Sequence, residues 1–166
     1  MKDPITVTDD LSLTQGKGMT SPIKLYVNVH AVLKDDQGHI KYQERGANLV
    51  TTAGKGHIAD QLSSAPGQSA MSHMAIGTGS TAAAIGDTAL VTEIDRNALT
   101  SRTDAGAIVT YVGDWAAGDG TNAAIREAGI FNAAAVGTLL ARYVFASAID
   151  KQASDTLQIT WTVTVG

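Results

Sequence analysis

Residues 156–165, TLQITWTVTV, set Leu157, Ile159, Trp161, Val163 and Val165 on alternate positions, with Thr156, Gln158, Thr160, Thr162 and Thr164 between them. Side chains of an extended chain point to opposite faces in turn, whereas a helix returns to the same face every 3.6 residues. A strict period of two over ten residues therefore demands a β-strand with one apolar face. The threonines suit its other face, because a β-branched side chain packs on a pleated surface while its hydroxyl stays hydrated. Such a strand needs a sheet to lie in, and the sheet has one side for a core and one for water or a partner.

The same period recurs. Ile23, Leu25, Val27, Val29 and Ala31 share a face opposite Lys24, Tyr26, Asn28 and His30. Asp35-Asp36-Gln37-Gly38 supplies turn chemistry, so residues 23–45 are expected to form a hairpin with its return strand over 39–44. Strand-like runs follow at 71–76, 94–101, 106–115, 125–131, 138–146 and 155–165, separated by glycines and Asx residues. Thr51 or Thr52 is placed to cap a helix over 52–63 whose Ile58, Ala59 and Leu62 share a face and which stops before Pro66-Gly67. The expected class is all-β, mainly an antiparallel β-sandwich of jelly-roll or Ig-like kind, with one or two short helices. One domain is expected over 23–166, and residues 1–22 read as an extended N-terminal arm broken by Pro4, Pro22 and Gly16-Lys17-Gly18. Within the arm, Ile5/Val7 and Leu11/Leu13 alternate with polar neighbours. Pro4, Ile5, Val7, Leu11 and Leu13 are therefore the expected partner-binding residues, acting by strand addition to a sheet edge.

Composition narrows the partners. Charged residues make up 17% of the chain, below the roughly 25% usual for soluble domains, so much of the surface must be small and neutral. A surface of that kind loses little side-chain entropy when another protein covers it. The net charge of -4 and the lack of a Lys/Arg cluster argue against nucleic acid and anionic membrane as partners. No apolar stretch has the length of a membrane-crossing helix, and the first residues carry no apolar signal segment. With no cysteine, thiol chemistry, thiolate zinc sites and disulfides are excluded.

Gly77-Thr78-Gly79-Ser80-Thr81-Ala82 spells the glycine spacing of a dinucleotide fingerprint. That motif works when a helix starts at once and aims its N–H groups at pyrophosphate, and here Gly86-Asp87 would break such a helix within two turns. The acidic residue expected some 20 positions further on is missing, so Gly77, Gly79 and Gly86 read as a tight surface loop. His30, His39, His57 and His73 lack metal-ligand spacing, and Asp114 and Asp119 lack the dense oxygen alternation of a calcium loop. No catalytic residue, cofactor or metal is expected. Glu93, Arg96, Arg126 and Glu127 interrupt the apolar segments ALVTEIDRNAL and AAIREAGIF, and charges in such places signal structural ion pairs.

The segments LVTTAG, HMAIGTGST, DTALVTEIDRNAL, IREAGIFNA, GTLLARYVF and DTLQITWTVTV, in this order across residues 49–165, resemble small virion proteins of tailed bacteriophages. They are also similar to the N-terminal attachment domain of phage tail-collar fibre proteins. Those motifs are structural, so the resemblance implies shared architecture and a virion component. Collar fibres continue into a long shaft, which this sequence does not show, and it begins with an arm and a further hairpin. A domain of that kind without a shaft, with a low-charge surface and an extended arm, is expected to be a capsid decoration or cement protein bound to the major capsid protein of a virion, and a homotrimer is expected because local three-fold positions on an icosahedral shell suit one. The alternative expectation is a tail fibre or baseplate adaptor.

Overall fold

The computed structural model describes residues 24–63 and 65–166. Its elements are β1 (Leu25–Lys34), β2 (Ile40–Ala47), β3 (Leu49–Val50), α1 (Thr52–Gln61), β4 (His73–Gly77), β5 (Glu93–Ala98), β6 (Ser101–Ala105), β7 (Ile108–Trp115), β8 (Asn122–Phe131), β9 (Leu139–Lys151) and β10 (Thr156–Val165). They build two five-stranded antiparallel sheets, ordered β2-β1-β10-β7-β6 and β3-β9-β8-β4-β5. The expected all-β, sandwich-like architecture is what forms, with α1 the one helix among the described residues. That helix is too short to cross a membrane, and no other described helix could do so.

The strand with the clearest alternation is the central strand of the first sheet. β10 pairs with β1 through Val27↔Val163, Val29↔Trp161, Ala31↔Ile159 and Leu33↔Leu157, and every one of these eight side chains is buried. On its other side Leu157 meets Trp115 of β7. Facing them from the second sheet are Met74 and Ile76 of β4, Ile125, Ala128 and Ile130 of β8, and Phe145 and Ile149 of β9, all in one core cluster. Burying an aliphatic or Phe side chain of this kind contributes about 1.5–3 kcal/mol relative to leaving it exposed. Polar side chains tie the sheets together at one margin. Glu44 on β2 accepts hydrogen bonds from the Tyr143 hydroxyl at 2.7 Å and the Ala146 N–H at 3.1 Å, both on β9, and from the Tyr42 hydroxyl.

Several expected strand boundaries move: β8 starts at Asn122 rather than 125, and β9 runs on to Lys151 rather than ending at 146. The run read as 94–101 breaks at Leu99-Thr100, where the chain crosses between sheets with Leu99 N–H on Ser72 O and Thr100 N–H on Val112 O. β6 then starts in the first sheet at Ser101, the last residue of the expected run, and its remaining residues to Ala105 form a strand that was not expected. The two-residue β3 also escapes the pattern, since two residues show no period.

The helix keeps its expected cap but not its expected face. Thr51 Oγ1 accepts from Gly54 N–H at 2.9 Å and donates to Leu139 O at 2.6 Å. Gly54 and His57 are the buried positions, while Ala59 is exposed, Leu62 is 76% exposed and Ile58 is half-buried. The cause is close packing on β9: a Cβ on Gly54 would collide with the Leu140 carbonyl. The absent side chain, not the apolar stripe, fixes which side of α1 meets the sheet.

Candidate interaction surfaces

The glycine-rich stretch after β4 does cradle an anion, and the anion is the protein's own. Residues 78–92 run across the outer face of the second sheet, where Glu127 of β8 is 0% exposed. One Glu127 oxygen accepts from the N–H groups of Gly79 (2.9 Å) and Thr92 (2.8 Å). The other accepts from Val91 N–H (3.0 Å) and Arg142 Nε (2.7 Å). A Cβ on Gly77 would sit 2.7 Å from Glu127 Oε1, and one on Gly79 would overlap the same oxygen and come within 2.5 Å of Val91 Cβ. The glycines let backbone approach a charge, as in a phosphate loop, but that charge is a carboxylate with its hydrogen-bonding directions filled. Gly77 and Gly79 are thus buried packing positions rather than surface-loop residues, and Gly86 alone of the three lies exposed.

Arg142, 1% exposed on β9, completes this layer. It donates to Thr81 O at 2.9 Å and to Asp87 Oδ2 at 2.9 Å, besides Glu127. Although burial works against ionisation of Asp87, the Ala84 N–H and the Arg142 guanidinium hold its carboxyl below the usual carboxylate range. Sheet, carboxylate, guanidinium and loop form one sealed polar network.

The four expected ion-pair residues separate. Glu127 pairs with Arg142 of the neighbouring strand, at a position the sequence reading did not single out. Arg126, next to Glu127 where the β8–β9 register shifts, goes elsewhere; its Nη1 donates to Ala146 O at 3.3 Å, and it joins no ion pair among the described residues. Glu93 and Arg96 do meet, through two hydrogen bonds of 2.8 and 2.6 Å within β5. Arg96 also lies 3.6 Å over the Phe131 ring and donates to Ala133 O and Val136 O. It thereby clamps the β8–β9 turn, whose Val136 is 88% exposed at φ 57°, a left-handed conformation that β-branched residues rarely adopt. Of the histidines, His57 is buried in α1 instead of lying on the surface, and the described residues hold no cluster of metal-ligating side chains. Pro4, Ile5, Val7, Leu11 and Leu13 lie outside the described residues.

The outer face of the first sheet is the broad open surface. Register sets Thr160 beside His30 and Val112, Thr162 beside Asn28 and Thr110, and Thr164 beside Tyr26 and Ile108. Along these rungs, extended outward to β2 and β6, Arg45 is the one formal charge. Burial, followed by the neighbouring Arg45 charge, lowers the pKa of His30 and keeps it neutral at pH 7. Tyr26 is 54% exposed on this face. Around these threonines the face carries little charge, with Lys34 beside Thr156 and Asp114 beside Gln158 further along it, and this stretch has the chemistry of a surface that loses little on being covered. Comparison with protein-family models, with curated proteins and with solved structures returns no match to this chain.

Proposed function

We propose that this chain is a structural protein of a bacteriophage virion, a capsid decoration or cement protein that binds the major capsid protein and stabilises the head shell. The observation that carries the reading is the stretch of the first sheet's outer face around Thr160, Thr162 and Thr164, along whose rungs Arg45 is the one formal charge, with Asp114 and Lys34 lying further along the same face. The resemblance of segments between residues 49 and 165 to phage virion proteins agrees with it. In this reading the chain works as a cyclic homo-oligomer, with a trimer favoured because local three-fold positions on an icosahedral shell suit one. The arm, residues 1–22, adds contacts to a neighbouring subunit, and avidity multiplies modest contacts repeated by symmetry. A shell pressed from inside by packaged DNA fails at junctions between coat subunits, and a protein lying across a junction raises the cost of separating them. No reaction, cofactor, nucleic acid or membrane is part of this role.

Quantitative mass spectrometry of purified particles tests it. A shell protein is present in hundreds of copies, whereas a tail fibre or baseplate adaptor is present in roughly six to eighteen, as the symmetry of each location dictates. The lower number would replace this reading with the adaptor, which the likeness of HMAIGTGST and IREAGIFNA to collar-fibre attachment domains favours. Absence from particles would overturn both.

A further inference from the structure

The β6–β7 hairpin turns through Gly106-Ala107, with Gly106 at φ 60°. A two-residue turn makes its flanking residues, Ala105 and Ile108, a hydrogen-bonded pair. Bonded and non-bonded pairs alternate from there, so Ser101, Thr103 and Ala105 direct their backbone groups to β7. The N–H and C=O groups of Arg102 and Asp104 point the other way, off the rim of the first sheet. β6 is the last strand in that sheet's order, all five of its residues are exposed, and no described strand lies beyond it. β2 at the opposite rim differs, because Glu44 ties it to β9.

An open edge is a template for another strand, and proteins usually blunt it with charge. The charges on β6 do so selectively. Arg102 and Asp104 lie two residues apart on one face, opposite Tyr111 and Val109 of β7. Arg102 Nη1 donates to Met71 O at 2.9 Å, and neither side chain joins an ion pair among the described residues. A second β6 running antiparallel can set its outward-facing residues against the first in registers centred on Arg102, Thr103 or Asp104. The first opposes Arg with Arg and the last opposes Asp with Asp, and like charges directly across a ladder destabilise it. The register centred on Thr103 sets Arg102 of each copy against Asp104 of the other.

We propose that β6 is a self-recognition edge, and that two copies of this chain join by antiparallel pairing of their β6 strands about a two-fold axis at Thr103. Each copy offers the N–H and C=O of Arg102 and Asp104, so the pairing closes four backbone hydrogen bonds and two ion pairs. Two five-stranded sheets become one continuous sheet. Its outer face runs from Thr162 and Thr110 through Thr103 into the second copy. The contact stands apart from the virion reading: it needs no particle, and it combines with a three-fold contact as a dihedral assembly.

Analytical ultracentrifugation of the full chain reads the mass of the assembly. Arg102→Asp and Asp104→Arg each set like charges across both pairs and are expected to halve that mass at equal concentration. Asp104→Arg leaves the Arg102 bond to Met71 O in place, so it separates loss of pairing from loss of fold, which the melting curve monitors. The double exchange Arg102→Asp/Asp104→Arg restores unlike charges in the same register and is expected to restore the mass. Thr103 meets its own copy at the axis as a non-hydrogen-bonded pair, with Cα atoms about 4.5 Å apart, inside the range a disulfide spans. Because the sequence has no cysteine, Thr103→Cys is expected to cross-link two chains on mild oxidation. Ser101→Cys, which faces Ala105 of the other copy, is expected not to. A mass that the single exchanges leave unchanged, a double exchange that fails to restore it, or a Thr103→Cys variant that does not cross-link overturns the proposal.

Discussion

Replacing Glu127 by Gln keeps the shape of the side chain and removes its charge, which makes it a sharp test of the sealed network. The amide oxygen can stand in for Oε1 and keep the Gly79 and Thr92 N–H groups. The amide NH₂ then falls where Oε2 accepts from Val91 N–H and Arg142 Nε, so donors face donors. Arg142 is left 1% exposed with Asp87 as its one remaining acid. Two buried donors without partners cost about 1–3 kcal/mol each, and breaking a buried ion pair from one side costs about 3–5 kcal/mol. Taking about 4 kcal/mol, against a total stability of about 5–15 kcal/mol, the melting temperature should fall by about 8–16 °C. Differential scanning calorimetry reads the shift. Hydrogen exchange should show the Gly79, Val91 and Thr92 amides losing protection ahead of the core strands. Arg126→Gln, one residue earlier, is the control: its partner is one solvent-side carbonyl, and the change should stay within about 0.5 kcal/mol. Equal effects from the two exchanges, or a Glu127→Gln shift below about 3 °C, would refute the view that this carboxylate holds the 78–92 layer.

Gly79→Ala should destabilise by about 1–3 kcal/mol in urea titration, because its Cβ would overlap the Glu127 carboxylate. Gly86→Ala, with nothing within 4 Å of the added carbon, should be close to neutral. Acid should also act through Glu44, Asp87 and Asp155. Burial opposes their ionisation, but hydrogen bonds from Tyr42 and Tyr143, from Ala84 and Arg142, and from Lys41 and Gln152 hold their carboxyls below the usual range. The folded state thus binds fewer protons than the unfolded one near the ordinary carboxylate pKa. Their stabilisation is complete above about pH 5 and is lost as pH falls through the depressed folded values. Urea midpoints measured from pH 7 down to pH 2 should fall along that limb, and Asp155→Asn should flatten it; an unchanged limb in that variant would contradict the assignment.

Much of the sandwich is legible in the sequence because burial on one face imposes a period of two. β10 and β1 carry that period strongly, and each lies near its expected place. What pattern cannot give is which strand neighbours which. Glu127 and Arg126 look like a pair in a row of letters, yet Arg126 reaches Ala146 O instead, and the partner of Glu127 lies 15 residues away on β9. Arg142 does carry the signal that marked the other four, a charge inside the apolar run GTLLARYVF, and attention to that run would have found it. The helix face was misread because the decisive contact at Gly54 is made by a missing side chain, which no hydrophobic pattern records. The break at Leu99-Thr100 was invisible for a similar reason, since no glycine or proline marks the crossing between sheets.

The central place of β10 has a consequence for biosynthesis. Its neighbours β1 and β7 both precede it in the sequence, and β1 begins 131 residues earlier, Leu25 to Thr156. On a ribosome adding about 5–20 residues per second, the 50 residues from Trp115 to Val165 take roughly 3–10 seconds, during which β1 and β7 are made and their shared partner is missing. Two strand edges that end up inside a sheet are open to wrong pairing during that interval. Newly made chains should therefore depend on a chaperone until synthesis passes Val165, and chains cut before Thr156 should be recovered as aggregates.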